Sequence, residues 1–254
     1  HTADSIFDPF TQQKLYYTQQ YFGHIGKYRG SAGGFTRPKP NFVAKNVKQI
    51  DVEGMRFNIN SIKAPIQLDI AGLFNVYNAL AAFALVKTAT DSADEHIVEA
   101  LASSSAAFGR SEEIDYLGRK LLLLLIKNPT GLNQIIQTYL LRKTDRLLVF
   151  IINDNYADGR DVSWLWDSAL EDLKGYKGRI IVGGSRAADM ALRLKYAGLK
   201  DVLWEADSDR LLELITQNST KRSKVFVLPT YTAMLNIRAK LTAKDSTKIG
   251  RAHV

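Results

Sequence analysis

From Leu117 onward the chain alternates short apolar runs with segments of helical spacing, a pattern few architectures accept. Residues 120–126, 147–152, 179–182, 202–204 and 224–228 read as strands, and helical patterns follow at 131–141, 162–173, 186–197, 208–217 and 230–241. Strands that are apolar on both faces and separated by helices call for a mainly parallel sheet covered on both sides. Gly198 stands where a helix C-terminal glycine belongs. The second half is therefore expected to be a compact, Rossmann-like α/β domain, with residues 108–113 as the hinge leading into it.

The first half has another texture. Residues 1–40 are rich in Gly, Gln and Tyr, show no helical period and close on Arg37-Pro38-Lys39-Pro40, which predicts β-ribbon and loop. Strands are expected at 47–52 and 55–59 around a turn at Glu53-Gly54. Residues 72–85 predict an alanine-rich helix buried on most sides, and residues 94–101 a second helix.

With 254 residues, 46% of them hydrophobic, the chain can form one large core or two smaller ones. Its longest apolar runs, 79–86 and 121–126, are too short to cross a bilayer, and no signal-peptide pattern is present, so a cytoplasmic location is expected. The absence of cysteine excludes disulfides, a thiol nucleophile and a thiolate metal site. The net charge of +8 is dispersed and is densest at Lys221-Arg222-Ser223-Lys224. It suits a nucleotide or a phosphorylated substrate better than nucleic acid, which calls for a basic stripe with interleaved aromatics.

The densest chemistry lies just after the run 147–152, where Asp154, Asp158, Asp161 and Asp167 share a short segment with Arg160, Trp164 and Trp166. Ligands of open α/β sheets bind at the carboxyl ends of strands, and crowded carboxylates need a cation or ligand to offset their repulsion. An Asx-rich turn with Asp161 or Ser163 capping a helix explains part of the pattern equally well. His24 and His96 stand in poor contexts for a general base. No Gly-x-x-x-x-Gly-Lys-[Ser/Thr] phosphate loop is present, and Val182-Gly183-Gly184-Ser185-Arg186 is explained better by helix–sheet packing than by anion binding.

Gly72-x-Phe74-Asn75-x-x-Asn78-x-x-Ala81-Ala82, Phe108-Gly109-Arg110-x-Glu112 and Asn153-Asp154 together resemble the second half of a Mur ligase. Lys127-Asn128-Pro129-Thr130-Gly131-Leu132-Asn133 and Asp158-Gly159-Arg160-Asp161-x-Ser163-Trp164 resemble the MurT family more specifically. The resemblance implies an α/β chain: the C-terminal portion of a Mur ligase middle domain over 1–107, with a zinc-ribbon-like β insert at 1–40, and a MurT-type domain over 108–248. Residues 249–254 are expected to be a non-native tail.

In function, the resemblance implies ATP- and Mg²⁺-dependent amidation of the D-glutamate α-carboxylate of lipid II to D-isoglutamine during peptidoglycan synthesis. The reaction would pass through an acyl phosphate, with ammonia supplied by a GatD-like glutaminase subunit. It further implies that Asn75 meets the adenine, Arg110 the nucleotide and Asp154 the ribose, while Asp161 completes the catalytic triad of the glutaminase partner. Lys127 would meet a phosphate or the substrate carboxylate.

Two features depart from the family. Asp8-Pro9-Phe10-Thr11 and Gly30-Ser31-Ala32-Gly33 stand where paired cysteines would hold zinc, so no zinc is predicted. The ribbon is expected to be held by Tyr17, Tyr21, Phe22, Tyr28 and Phe35, leaving His24 without a role. The missing phosphate loop leads us to expect a piece of a longer protein, inactive by itself. Alternatives are another Mur ligase or folylpolyglutamate synthase-type carboxylate–amine ligase, or a non-catalytic scaffold.

Overall fold

The computed structural model describes residues 6–22, 25–31, 34–50, 54–104, 110–141 and 145–249; the side chains of Phe22, Arg110 and residues 244–249 lie outside that description. His24, Phe108, Gly109 and residues 250–254, on which expectations were placed, also lie outside it. The chain divides into two compact units, one built from residues up to Ser103, the other from Ser104 onward together with Asp69–Ala71.

In the first unit, β1 (Tyr16–Phe22) and β2 (Ile25–Arg29) form an antiparallel hairpin. A second sheet is the antiparallel meander β3 (Ala44–Ile50), β4 (Gly54–Ile59) and β5 (Ile66–Leu68). Along β4 the pleat turns Met55, Phe57 and Ile59 inward and Arg56 outward. These three pack with Ile66 and Leu68 against Val76, Ala79 and Phe83 of α1 (Leu73–Ala89) and Ile97 of α2 (Asp94–Ala102). Phe57 and Phe83 are fully buried, each contributing about 1.5–3 kcal/mol by leaving water.

The expectation that α1 is buried on most sides is corrected. Only Val76, Ala79 and Phe83 are buried, and Leu85 is 67% exposed. Alanine is apolar but small, so an alanine-rich run registers as hydrophobic while needing only one packed face to form a helix.

The hairpin is held by rings: Tyr17 faces Tyr28 at 5.8 Å, and Tyr28 stacks on Phe35 at 5.5 Å. Its open end, where Tyr16 pairs with Arg29, is organised by Asp8, only 2% exposed, whose Oδ1 accepts from the amides of Phe10 (2.8 Å) and Thr11 (3.2 Å). Gly30 fits beside this carboxylate because a Cβ there would lie 2.3 Å from Asp8 Oδ2. The donor set does not fit zinc, since one carboxylate already spent on amides replaces four thiolates. Asp8→Ala is expected to leave those amides unsatisfied, destabilising the hairpin by about 1–3 kcal/mol. Hydrogen exchange should show faster exchange at Phe10, Thr11 and Gly30 with none in the second unit.

In the second unit, β6 (Arg110–Tyr116), β7 (Arg119–Leu124), β8 (Leu147–Ile151), β9 (Ile180–Gly183), β10 (Leu203–Glu205) and β11 (Lys224–Pro229) form one sheet in the order β10-β9-β8-β11-β7-β6. All neighbours are parallel except β6, which returns antiparallel along β7. The hinge expected at 108–113 is thus corrected in part, since Arg110–Glu113 lie in this edge strand. Leu117 and Gly118 join β6 to β7, both at positive φ (52° and 79°), as a two-residue hairpin turn of this hand requires.

Alternation along β8 assigns its side chains to two layers. Leu148 and Phe150 face one core with α3 (Pro129–Ile135) and α4 (Ala187–Tyr196). Leu147, Val149 and Ile151 face the other, with α5 (Ser208–Gln217) and α6 (Tyr231–Ile249). Asn128 caps α3 by accepting from the Gly131 amide at 2.8 Å, Pro129 opens the helix, and it continues as a π-turn over Ile136–Leu140. Gly198, at φ +86°, ends α4 with bonds from its own amide to the Lys195 carbonyl and from Leu199 to Leu194, as expected of a helix-terminating glycine.

The helix expected over 162–173 is corrected to two short 3₁₀ turns, Ser163–Leu165 and Leu170–Leu173. Arg193 explains the interruption. It is 2% exposed, and its guanidinium donates to the carbonyls of Leu165 (3.0 Å) and Ser168 (2.8 Å), groups a continuous helix would use internally. Glu171 completes its partners at 2.8 Å.

Candidate functional site

Adjacent strands β8 and β11 send their following segments to opposite faces of the sheet, which opens a crevice at their carboxyl ends. The polar groups after β8 meet there with the start of α6. The Asn153 amide donates to Thr230 Oγ1 (3.0 Å). Asn153 Nδ2 and Asn155 Nδ2 donate to Thr232 Oγ1 (3.1 and 2.8 Å), and that hydroxyl donates in turn to Asp158. Asp158 Oδ1 also accepts from the Thr232 amide at 2.7 Å, so a carboxylate from a distant loop caps α6. At 8% exposure, Asp158 is consumed by this structural role.

Asp154 is placed differently. It is partly exposed, with Oδ1 accepting from Ser185 Oγ at 2.9 Å and Oδ2 at 3.9 Å from Arg186 Nε. Ser185 is fixed because its amide donates to Asn153 Oδ1 (3.1 Å). Gly184 lies beneath, at φ +87°, where a Cβ would come within 2.4 Å of the Ile152 carbonyl oxygen. A cavity of about 110 Å³ adjoins these groups, lined by Asn153, Ser185, Ser208 and Asn236.

Asp161 stands on the exposed loop beyond Asp158, with Oδ1 accepting from the Ser163 amide at 2.8 Å. That bond and the Ser163 hydroxyl hold its carboxyl below the usual aspartate range. The side chain forms an Asx-turn. Lys127 is exposed directly after β7, and Arg110 pairs in register with Leu124, so both backbones stand at the same sheet edge as Asp154. Asn75 belongs to the first unit, in the first turn of α1, where Asn78 Nδ2 donates to its Oδ1 at 3.4 Å. Gly72 caps α1 with no side-chain hydrogen bond.

The sheet edge thus gathers Asp154, Lys127 and the backbone of Arg110, while Asp161 lies exposed further along the loop that follows β8. Asp158, Thr230 and Thr232 organise the edge and were not singled out as a network from sequence. The available signal was Pro229-Thr230-Tyr231-Thr232 at a strand-to-helix junction. A carboxylate beside a serine hydroxyl suits ligand hydroxyls, and an arginine or lysine suits phosphate. Among the described residues no cluster of three His, Asp or Glu could hold a metal, and no helix is long and apolar enough to cross a membrane.

Residues 125–234 match the MurT ligase C-terminal family. Over 96% of its length the chain is 31% identical to the MurT subunit of the glutamine-hydrolysing lipid II isoglutaminyl synthase of Streptococcus pneumoniae, covering 54% of that protein. Against the same subunit of Staphylococcus aureus the figures are 29% identity, 91% and 51%. A pseudomurein peptide ligase of type C from Methanothermus fervidus shares the fold, with a TM-score of 0.66 at 20% identity, over 96% of this chain and 50% of that one. The chain spans about half the length of the curated relatives it matches. It is similar to the MurT subunits over most of its length, and its residues 125–234 match the MurT ligase C-terminal family.

Proposed function

We propose that the protein contributes the C-terminal part of an ATP-dependent carbon–nitrogen ligase that amidates the D-glutamate α-carboxylate of lipid II, with ammonia from a glutaminase subunit of the GatD type. The single observation that carries this reading is Asp161. It is an exposed carboxylate held charged by Ser163, on a loop whose base is clamped by the buried Arg193. Such a group is presented outward to something the chain itself lacks. An imidazole N–H of a partner's catalytic histidine is a fitting recipient. The same loop exposes Tyr156 (89%) and Trp166 (50%), residue types enriched where proteins meet.

At the sheet edge, Asp154 and Ser185 would orient the ribose hydroxyls of a nucleotide, and Lys127 and Arg110 would supply positive charge toward phosphate. Asn75 would offer its amide to the adenine from the first unit. ATP, with Mg²⁺, would supply the activation of the carboxylate. The family match and the fold support a ligase over a scaffold, and the match to the loop carrying Asp161 favours the amidating ligases over other members of the fold.

Asp161→Asn, made in the intact protein with its glutaminase, is expected to reduce glutamine-driven amidation by about 100-fold or more, as loss of a triad carboxylate does. Amidation driven by added ammonium should stay within about twofold of wild type, because that route bypasses the partner's histidine. Equal loss of both rates would mean that Asp161 only shapes its loop.

A further inference from the structure

The loop that follows β8 is tied down on both sides of Asp161. On one side Asp158 is locked to the start of α6: its Oδ1 accepts from the Thr232 amide at 2.7 Å, and its Oδ2 accepts from the Thr232 hydroxyl and, at 3.2 Å, from the Asn155 amide. On the other, the Leu165 carbonyl accepts from the buried Arg193 at 3.0 Å. Val162 packs into the core between these ties, but apolar packing is non-directional and fixes depth more than rotation. The hydrogen bonds at Asp158 are directional and fix the course of the chain just before Asp161.

Asp158 is held through both of its oxygens, and Thr232 meets each of them. The Thr232 hydroxyl accepts from Asn153 Nδ2 (3.1 Å) and Asn155 Nδ2 (2.8 Å), which leaves its proton for Asp158. Asn153 Oδ1 in turn accepts from the Ser185 amide at 3.1 Å, and the Ser185 hydroxyl donates to Asp154 at 2.9 Å. One hydroxyl therefore joins the carboxylate at the sheet edge to the carboxylate that holds the loop of Asp161. A network of this kind keeps its geometry only while every member is satisfied.

We propose that Asp158 and Thr232 are positioning residues for the glutamine-driven reaction, setting the place and orientation of Asp161 from within the chain. The inference rests on the ligase reading, in which Asp161 meets an imidazole of the glutaminase. Misplacement of a reacting group by about 1 Å can cost on the order of 100-fold in rate, so a carboxylate that serves a histidine across an interface needs its own chain fixed beforehand. The bond from the Ser163 amide to Asp161 shapes the turn itself, and the bonds at Asp158 fix where that turn stands on the unit.

The intact protein with its glutaminase tests the proposal through two rates, amidation driven by glutamine and amidation driven by ammonium chloride. Asp158→Asn, whichever way its amide turns, sets an NH₂ group against a donor that the carboxylate accepted. It is expected to lower the glutamine-driven rate by about tenfold or more and the ammonium-driven rate by less than about threefold. Thr232→Val removes the shared hydroxyl and should lower the same ratio of rates while also raising the KM for ATP, since Asn153, and through it Ser185, loses a support; Thr232→Ser should restore both. Equal loss of the two rates in Asp158→Asn, or a serine variant as impaired as the valine one, would overturn the proposal by showing that the network serves stability alone. Thermal melting identifies a variant that does not fold; should Asp158→Asn be one, an unchanged ratio in Thr232→Val would overturn the proposal instead. Asp161→Asn, run alongside, separates the two readings. A changed ratio there with an unchanged one in Asp158→Asn defeats the positioning role alone, whereas no change in either defeats the ligase reading and the positioning role with it.

Discussion

Gly184→Ala is expected to lower the unfolding free energy of the second unit by about 2–5 kcal/mol, the sum of a left-handed backbone penalty of about 1–2 and an overpacking penalty of about 1–3. The new methyl would stand 2.4 Å from the Ile152 carbonyl oxygen and 2.7 Å from Asn153 Oδ1. Neither can yield freely, since the first accepts from the Arg186 amide at 2.9 Å and the second from the Ser185 amide. Gly175 supplies the control. Its φ of +89° is similar but nothing lies within 4 Å of its would-be Cβ, so Gly175→Ala should show only the backbone part. Urea unfolding of the two variants would measure the difference; equal shifts would show that the contacts over β8 do not constrain this turn. Displacement of Ser185 should also loosen its bond to Asp154, so under the proposed role of Asp154 nucleotide affinity of the intact protein should fall with stability.

The second large effect is expected at Arg193. Arg193→Met keeps the aliphatic volume but leaves the Leu165 and Ser168 carbonyls without their donor, a loss of about 3–5 kcal/mol for a buried charged partner. Arg193→Lys should fall between, because an ammonium keeps the charge but cannot span both carbonyls and Glu171 with one planar fork. Thermal melting checks the order, and proteolysis between Asp161 and Leu173 should rise most in the methionine variant. Acid offers an independent check. The hydrogen bond from Arg193 holds the Glu171 carboxyl below the usual glutamate range. A depressed folded-state value means that this contribution is complete above the unfolded value and disappears as pH falls through the folded one. The stability gap between wild type and Glu171→Gln should therefore be constant above about pH 5 and close in stronger acid.

The parallel strands were legible because β8 and β11 are buried on both faces and read as unbroken apolar runs. Edge strand β6 was not, since Arg110-Ser111-Glu112-Glu113-Ile114-Asp115-Tyr116 carries the charges that an exposed antiparallel edge tolerates and resembles a linker. Three-residue β5 was too short to show a period. The false helix over 162–173 had a cause: Val162, Leu165, Leu170 and Leu173 are spaced as a helix face would be, while Asp161 and Ser168 bond back to the main chain. Asp154 was visible as a carboxylate at a strand end. The cap that Asp158 gives α6 was not, because its partner Thr232 lies 74 residues away and local spacing carries no trace of it.

The position of β11 bears on how such a chain is made. It occupies the middle of the sheet, between β8 and β7, yet follows the sheet's other five described strands in the sequence. Until residues 224–229 are made, Leu121–Leu124 and Leu147–Ile151 each keep one apolar border without its partner strand, and pairing them directly with one another would be a misfold. Vectorial synthesis therefore leaves this sheet open until β11 is made. A nascent chain that stalls before Lys224 is expected to be bound by holdases or degraded, not to form a smaller folded domain.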